Sequence, residues 1–222
     1  TVPANGTISD TGTLSGGVNT PTGTITFKVY GPNDTTCAGI PVGTPLGTST
    51  VTVNGNGTYL SGPFTTVGPG TYNFVVSYSG DANNAPAVSA CGAPGESVLV
   101  KATPAITTVA SATVPANGTI SDTGTLSGGV TPTGTITFNV FGPGNATCTG
   151  TPAGTSTVTV TGNGIYMSAP FTTTGPGTYN YVVSYSGDTN NAAAVSACGA
   201  SGESVLVQAT PAITTVAAAP GN

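Results

Sequence analysis

The chain has 222 residues, a formal net charge of −5, only 4% charged residues and no histidine. Lys28 and Lys101 are its only cations, which leaves almost nothing to neutralise a phosphate backbone or an anionic bilayer, so nucleic-acid and membrane-surface binding are set aside. No apolar run approaches the roughly 20 residues of a membrane-spanning helix, and no basic segment followed by an apolar one marks a leader.

Read in order, the chain opens on Asn5-Gly6, a turn signal, followed by Ile8 and Leu14 in a short interrupted strand. Thr24 to Tyr30 alternates cleanly, with Ile25, Phe27 and Val29 expected inward and Thr24, Thr26 and Lys28 outward. Thr48 to Val53 and Thr58 to Leu60, joined by Asn54-Gly55-Asn56-Gly57, read as a hairpin. Gly68-Pro69-Gly70 then introduces the longest strand, Thr71 to Ser79, with Tyr72, Phe74, Val76 and Tyr78 on one face. Glu96 to Lys101 closes the unit.

The whole pattern then repeats. Thr113 to Val130 is identical to Thr1 to Val18, and Val158 to Gln208 parallels Val51 to Lys101. The expected strands of the second unit are Thr135 to Phe141, Thr155 to Val160, Ile165 to Met167, Thr178 to Ser186 and Glu203 to Gln208. Six or seven short strands per unit, separated by Gly and Pro turns and with no helical period, indicate an all-β chain of two tandem β-sandwiches. Each unit carries one cysteine pair, Cys37 with Cys91 and Cys148 with Cys198; even count and matched placement favour two intra-unit disulfides and an oxidising compartment over a metal site, for which histidine and CxxC spacing are lacking.

Three motifs recur in fixed order: PTGTITF (Pro21 to Phe27 and Pro132 to Phe138), GTY (Gly70 to Tyr72 and Gly177 to Tyr179) and YSGD-x-N (Tyr78 to Asn83 and Tyr185 to Asn190). In these the chain resembles the bacterial Ig-like repeat domains of cell-surface proteins. The resemblance implies Ig-like sandwiches used as stalk, spacer or adhesive modules, each beginning with a strand of the type Pro-Ala-Ile-Thr-Thr-Val. The second unit has that strand as Pro104, Ala105, Ile106, Thr107, Thr108 and Val109, inside the nonapeptide ATPAITTVA. The same nonapeptide recurs at residues 209–217, where it supplies Pro211, Ala212, Ile213, Thr214, Thr215 and Val216. The expected organisation is therefore a first domain at 1–101 lacking its own first strand, a second at 102–208, and a terminal strand at 209–222 offered to the next copy. Alternate side chains such as Ile213 and Val216 are expected to enter pockets there. The expected partner is a copy of the chain itself, in an extracellular or cell-surface filament grown head to tail; the alternative is a two-repeat stretch of a large adhesin stalk, whose tail begins a third covalent repeat.

Chemistry at individual residues reads mostly as structure. Asp10, Asp34, Asp81, Glu96, Asp122, Asp188 and Glu203 sit at turns or strand starts, where carboxylates cap backbone, and without histidine no nucleophile has a base partner, so no enzyme and no cofactor are expected. Calcium is a competing reading for Asp81, Asn83 and Asn84 and for Asp188, Asn190 and Asn191. An intramolecular Lys to Asn isopeptide bond is ruled out in the second unit, where Asn139 and Gln208 replace Lys28 and Lys101. Sequons at Asn5, Asn33, Asn56, Asn117 and Asn145 are candidates for glycosylation, in about the number composition alone predicts. Tyr30, Tyr59, Tyr72 and Tyr78 fit packing better than a sugar platform. The insertion Thr44-Pro45-Leu46-Gly47 is the one candidate for a ligand-binding tip.

Overall fold

The structure, a computed structural model, describes residues 2–218. Thr1 and residues 219–222, which fall in the expected first domain and terminal strand, lie outside the described residues. Two compact units form among the described residues, the first running to Thr103 and including the loops Gly128–Pro132 and Asp188–Ala192, the second comprising Pro104–Ser127, Thr133–Gly187 and residues 193–218. All regular structure among the described residues is strand.

The first unit contains β1 (Val2–Pro3), β2 (Thr7–Ile8), β3 (Thr11–Leu14), β4 (Thr24–Tyr30), β5 (Gly47–Thr52), β6 (Gly57–Leu60), β7 (Phe64–Thr65), β8 (Gly70–Tyr78), β9 (Ala87–Val88) and β10 (Ser97–Lys101). Its larger sheet runs β1-β10-β8-β4-β5 with β9 also on β8, and the opposing layer consists of the pairs β2-β7 and β3-β6. The alternation read from sequence is realised: Ile25, Phe27, Val29, Tyr72, Phe74 and Tyr78 are buried between the layers, while Lys28 is exposed. Fully burying an aliphatic side chain of this kind contributes about 1.5–3 kcal/mol.

The second unit repeats this plan and adds one strand. It contains β11 (Ala105–Ala110), β12 (Val114–Pro115), β13 (Thr119–Ile120), β14 (Asp122–Ser127), β15 (Thr135–Phe141), β16 (Gly154–Thr159), β17 (Gly164–Met167), β18 (Phe171–Thr172), β19 (Gly177–Tyr185), β20 (Ala194–Val195) and β21 (Ser204–Gln208). The larger sheet runs β12-β21-β19-β15-β16, but the opposing sheet is three-stranded, β11-β14-β17. Ile136, Phe138, Val140, Tyr179, Val183, Tyr185, Val205 and Val207 fill the core.

Local chemistry fixes the turns. The Tyr72 hydroxyl donates to the Gly68 carbonyl at 2.9 Å and accepts from the Val67 N–H at 3.0 Å, a corner of the kind Ig-type sandwiches use to pin the entry to a central strand. Tyr179 and Gly175 repeat it. Gly47 and Gly154 lie against the rings of Phe64 and Phe171, where an added Cβ would come within 2.6 Å of a ring carbon, so both positions need glycine. Cys37 is bonded to Cys91 and Cys148 to Cys198, each with Cα atoms 5.8 Å apart, one bridge in each repeat. Their presence points to an oxidising, non-cytoplasmic compartment.

Candidate functional site

The two repeats differ most at one sheet edge. In the second unit β11 lies antiparallel to β14, from Ala105 opposite Ser127 to Ala110 opposite Asp122, and packs over β19 and β20. Ile106 and Ala110 reach the core, Thr108 is half-buried beside them, and Ala105, Thr107 and Val109 face out. In the first unit the equivalent strand, β3, pairs among the described residues only with β6. Paired on one side, it spans Thr11–Leu14, whereas β14, held on both sides, extends over Asp122–Ser127. The edge of β3 opens on a groove lined by Leu14, Ile25, Val76, Tyr78, Ala87 and Glu96, among others.

Matched residues measure what the missing neighbour does. Asp122, Gly124, Leu126, Val183, Glu203 and Val205 are all buried; their identical counterparts Asp10, Gly12, Leu14, Val76, Glu96 and Val98 are all half-buried. Leu126 and Glu203 are each 1% exposed. The same side chains on the same scaffold lose water only where a first strand lies over them. An uncovered strand edge above an apolar groove is a ready template for strand addition.

The second copy of the nonapeptide is available for that role. Residues 209–218 form no strand and are exposed throughout, with Ile213 at 91% and Val216 at 96%. Ile213, Thr215 and Ala217 match the inward set of β11, namely Ile106, Thr108 and Ala110. The expectation that Ile213 and Val216 both enter pockets is corrected by this register. Val109, the counterpart of Val216, is 68% exposed, because residues an odd number apart on a strand point to opposite faces.

Carboxylates occupy two kinds of setting. Asp81 accepts hydrogen bonds from the N–H groups of Thr22, Asn83 and Asn84 and from the Tyr78 hydroxyl, so turn chemistry accounts for both its oxygens. Those backbone donors hold it well below the usual carboxylate range. Asp34 is lowered in the same way, first by the Gly39 N–H. Asp188 organises the matching turn with Asn190 and Asn191. Among the described residues no cluster of three or more His, Cys, Asp or Glu could hold a metal ion.

Glu96 and Glu203 sit at strand starts, directly before β10 and β21, but there they do not cap backbone. Their carboxyl groups turn under the sandwich edge, next to Asp10 and Asp122 respectively, and Asp122 Oδ2 and both Glu203 carboxylate oxygens are buried without a hydrogen-bond partner. Burial pushes Glu203 up to about 7, helped by the charge of Asp122. Burial likewise pushes Asp122 up to about 6 against the lowering effect of the Thr123 N–H. In the more open first unit Glu96 is also raised, first by burial and then by Asp10. Sequence reading missed these pairs because the partners lie at the starts of strands far apart in the chain.

The remaining expected sites fall as follows. Asn56 and Asn145 spend their side-chain amide nitrogens on the Gly17 and Thr149 carbonyls, and Asn33 Oδ1 accepts from the Thr71 N–H. Asn5 and Asn117 are exposed at left-handed turn positions, φ 61° and 66°. Tyr72 and Tyr78 are core residues, and Tyr59 donates to the Gly55 carbonyl. In the insertion Thr44-Pro45-Leu46-Gly47, the Leu46 N–H donates back to the Val29 carbonyl and Gly47 begins β5, while Ile40 and Val42 just ahead of it are exposed.

No protein-family model and no curated protein matches the chain. Among solved structures it is similar to red sea bream transglutaminase, at 10% identity over 94% of this chain and 30% of that one, with a TM-score of 0.35.

Proposed function

We propose that the chain is a structural subunit of an extracellular filament, in which the terminal strand Pro211–Val216, extended by Ala217, of one copy completes the first sandwich of the next. One observation carries the reading: a nonapeptide present twice is seated as β11 over one groove, while its second copy is exposed and the matching groove of the first unit is open. In the register of β11, Ile213 lies opposite Leu14, Thr215 opposite Gly12 and Ala217 opposite Asp10. Main-chain hydrogen bonds to β3 supply affinity, and Ile213 supplies the apolar anchor. Such a contact joins unlike surfaces and propagates unless its rotation closes a ring, so a fibre is the product. The chemistry needs no catalytic group and no cofactor. Disulfides in each unit suit a cell-surface setting, and two lysines with no arginine leave few sites for trypsin-like proteases.

The test is deletion of residues 210–222, followed by sedimentation and electron microscopy. Full-length chains should form filaments and deleted ones stay monomeric. Filaments that survive the deletion would refute strand donation. A full-length chain that is strictly monomeric at all concentrations would favour the stalk reading, in which the tail starts a further covalent repeat.

A further inference from the structure

Resting on the donated-strand reading, we infer that strand addition to the first unit is coupled to proton uptake by the Asp10–Glu96 pair, so that assembly tightens as the medium is acidified. The geometry comes from the completed unit. The last residue of β11, Ala110, lies opposite Asp122 and donates its N–H to the Gly202 carbonyl at 2.7 Å, the residue before Glu203. The strand end therefore bridges the two segments that carry the acid pair, and Ile106 and Thr108 line the space beside Glu203. Ala217 would stand in the same relation to Asp10 and Gly95.

The pair in the first unit is built for the same fate. The Asp10 N–H is bound by Ser61 Oγ and its Oδ1 accepts from the Thr11 N–H, as Asp122 is placed by Ser168 and Thr123. Asp10 Oδ2 and Glu96 Oε2 are already turned from solvent without a partner. A hydrogen bond between the two carboxyl groups needs one of them to carry a proton. Covering both removes the remaining water, and two adjacent buried charges cannot both persist. Burial, and after it the neighbouring Asp10 carboxyl group, raises Glu96. From β8 the position of Tyr181 is filled by Phe74, from the loop after β9 comes Ser89, and the donated segment brings no titratable side chain. Tyr78, on the same groove, has its hydroxyl tied to the Thr22 carbonyl and Asp81 and stays protonated, being raised by burial.

In the covered pair of the second unit Glu203 stands at about 7 and Asp122 at about 6. Glu96 in the open groove is raised above 4.5 without reaching the same burial. Affinity for the strand should be greatest below the open-groove value, fall by up to about tenfold per pH unit as pH rises from there to about 7, and level off above it.

The experiment uses the full chain carrying Ile213→Asp, which disables its own exposed tail, and the peptide ATPAITTVA with blocked ends, which has no charge of its own. Binding is followed by fluorescence anisotropy from pH 5 to 8. The expected result is binding at least about tenfold tighter at pH 5.5 than at pH 7.5, with the slope much reduced in Glu96→Gln and in Asp10→Asn. Binding with a flat pH profile, or an undiminished slope in both variants, overturns proton coupling and leaves strand donation standing. Absence of binding at every pH overturns strand donation, and this inference with it.

Discussion

Glu203 is the residue most at odds with its surroundings: 1% exposed, with neither carboxylate oxygen hydrogen-bonded and the equally buried Asp122 as its charged neighbour. Because its pKa is raised to about 7 in the fold from an ordinary 4.5, it favours the folded state fully below pH 4.5 and withdraws that support as pH climbs through 7. Asp122, at about 6, acts in the same direction. The second unit should therefore be more stable at pH 5 than at pH 8. Glu203→Gln, whose amide can donate to Asp122 Oδ2, should stabilise the chain by roughly 2–3 kcal/mol at pH 8 and by little at pH 5, read by urea denaturation at the two pH values. Equal effects at both would show that the glutamate is not ionised by pH 8. Asp81 works the other way. Lowered by backbone donors, it supports folding above the usual carboxylate range and loses that support as pH falls below about 4, so the stability profile should decline on both sides of a mildly acidic optimum.

Among elements, β11 and the exposed nonapeptide are one sequence in two environments, and they should answer the same substitution differently. Ile106→Asp places a carboxylate against the core, opposite Leu126 and on the space that Glu203 lines, and should destabilise the second unit by about 2–4 kcal/mol. Ile213→Asp, at a side chain 91% exposed, should leave denaturation unchanged and abolish assembly. Loss of stability in both variants would mean that the tail is anchored in the isolated chain. The bridges are a separate contribution: removing Cys37–Cys91, which closes a sequence separation of 54, should cost about 4 kcal/mol in the chain-entropy model, measured as a shift in urea midpoint of the paired alanine variant.

The elements were legible in proportion to their periodicity. Thr24–Tyr30 and Thr135–Phe141 match their expected spans to the residue, because strict alternation of β-branched and aromatic residues admits one reading. β5, β8, β16, β17 and β19 each begin one residue earlier than expected, on a glycine. Gly70, Gly164 and Gly177 enter their strands at φ between 136° and 155°, open to glycine alone, so turn chemistry and strand pairing share that residue. Two-residue pairs such as β2 with β7 leave no periodic trace. At the site, the repeated nonapeptide identified the covering strand, and the cysteine pairing followed from matched placement. The inward face of that strand did not, since Ile and Val three apart both look like anchors until a register is known. Nor did the Asp–Glu pairs, whose meeting depends on how β3 and β14 lie beside the segments leading into β10 and β21.

At the scale of the whole molecule, the tail and the groove are different surfaces of one chain, and that asymmetry can be tested by separating them. Ile213→Asp removes the donor and keeps the groove. Leu14→Lys does the converse: Leu14 is half-buried at the groove, where a lysine can reach water while the edge is open but must fill the place of the donated Ile213 and give up its hydration once a strand lies across it. Neither variant alone should form filaments. Mixed in equal amounts, the intact tail of Leu14→Lys should enter the intact groove of Ile213→Asp and stop there, giving a species of twice the monomer mass by analytical ultracentrifugation and nothing longer. A symmetric contact, with the same patch on both partners, would behave otherwise, since each variant would carry its defect to every interface and mixing would restore nothing. The dimer should also be favoured at pH 5.5 over pH 7.5, because the groove that accepts the strand still carries Asp10 and Glu96.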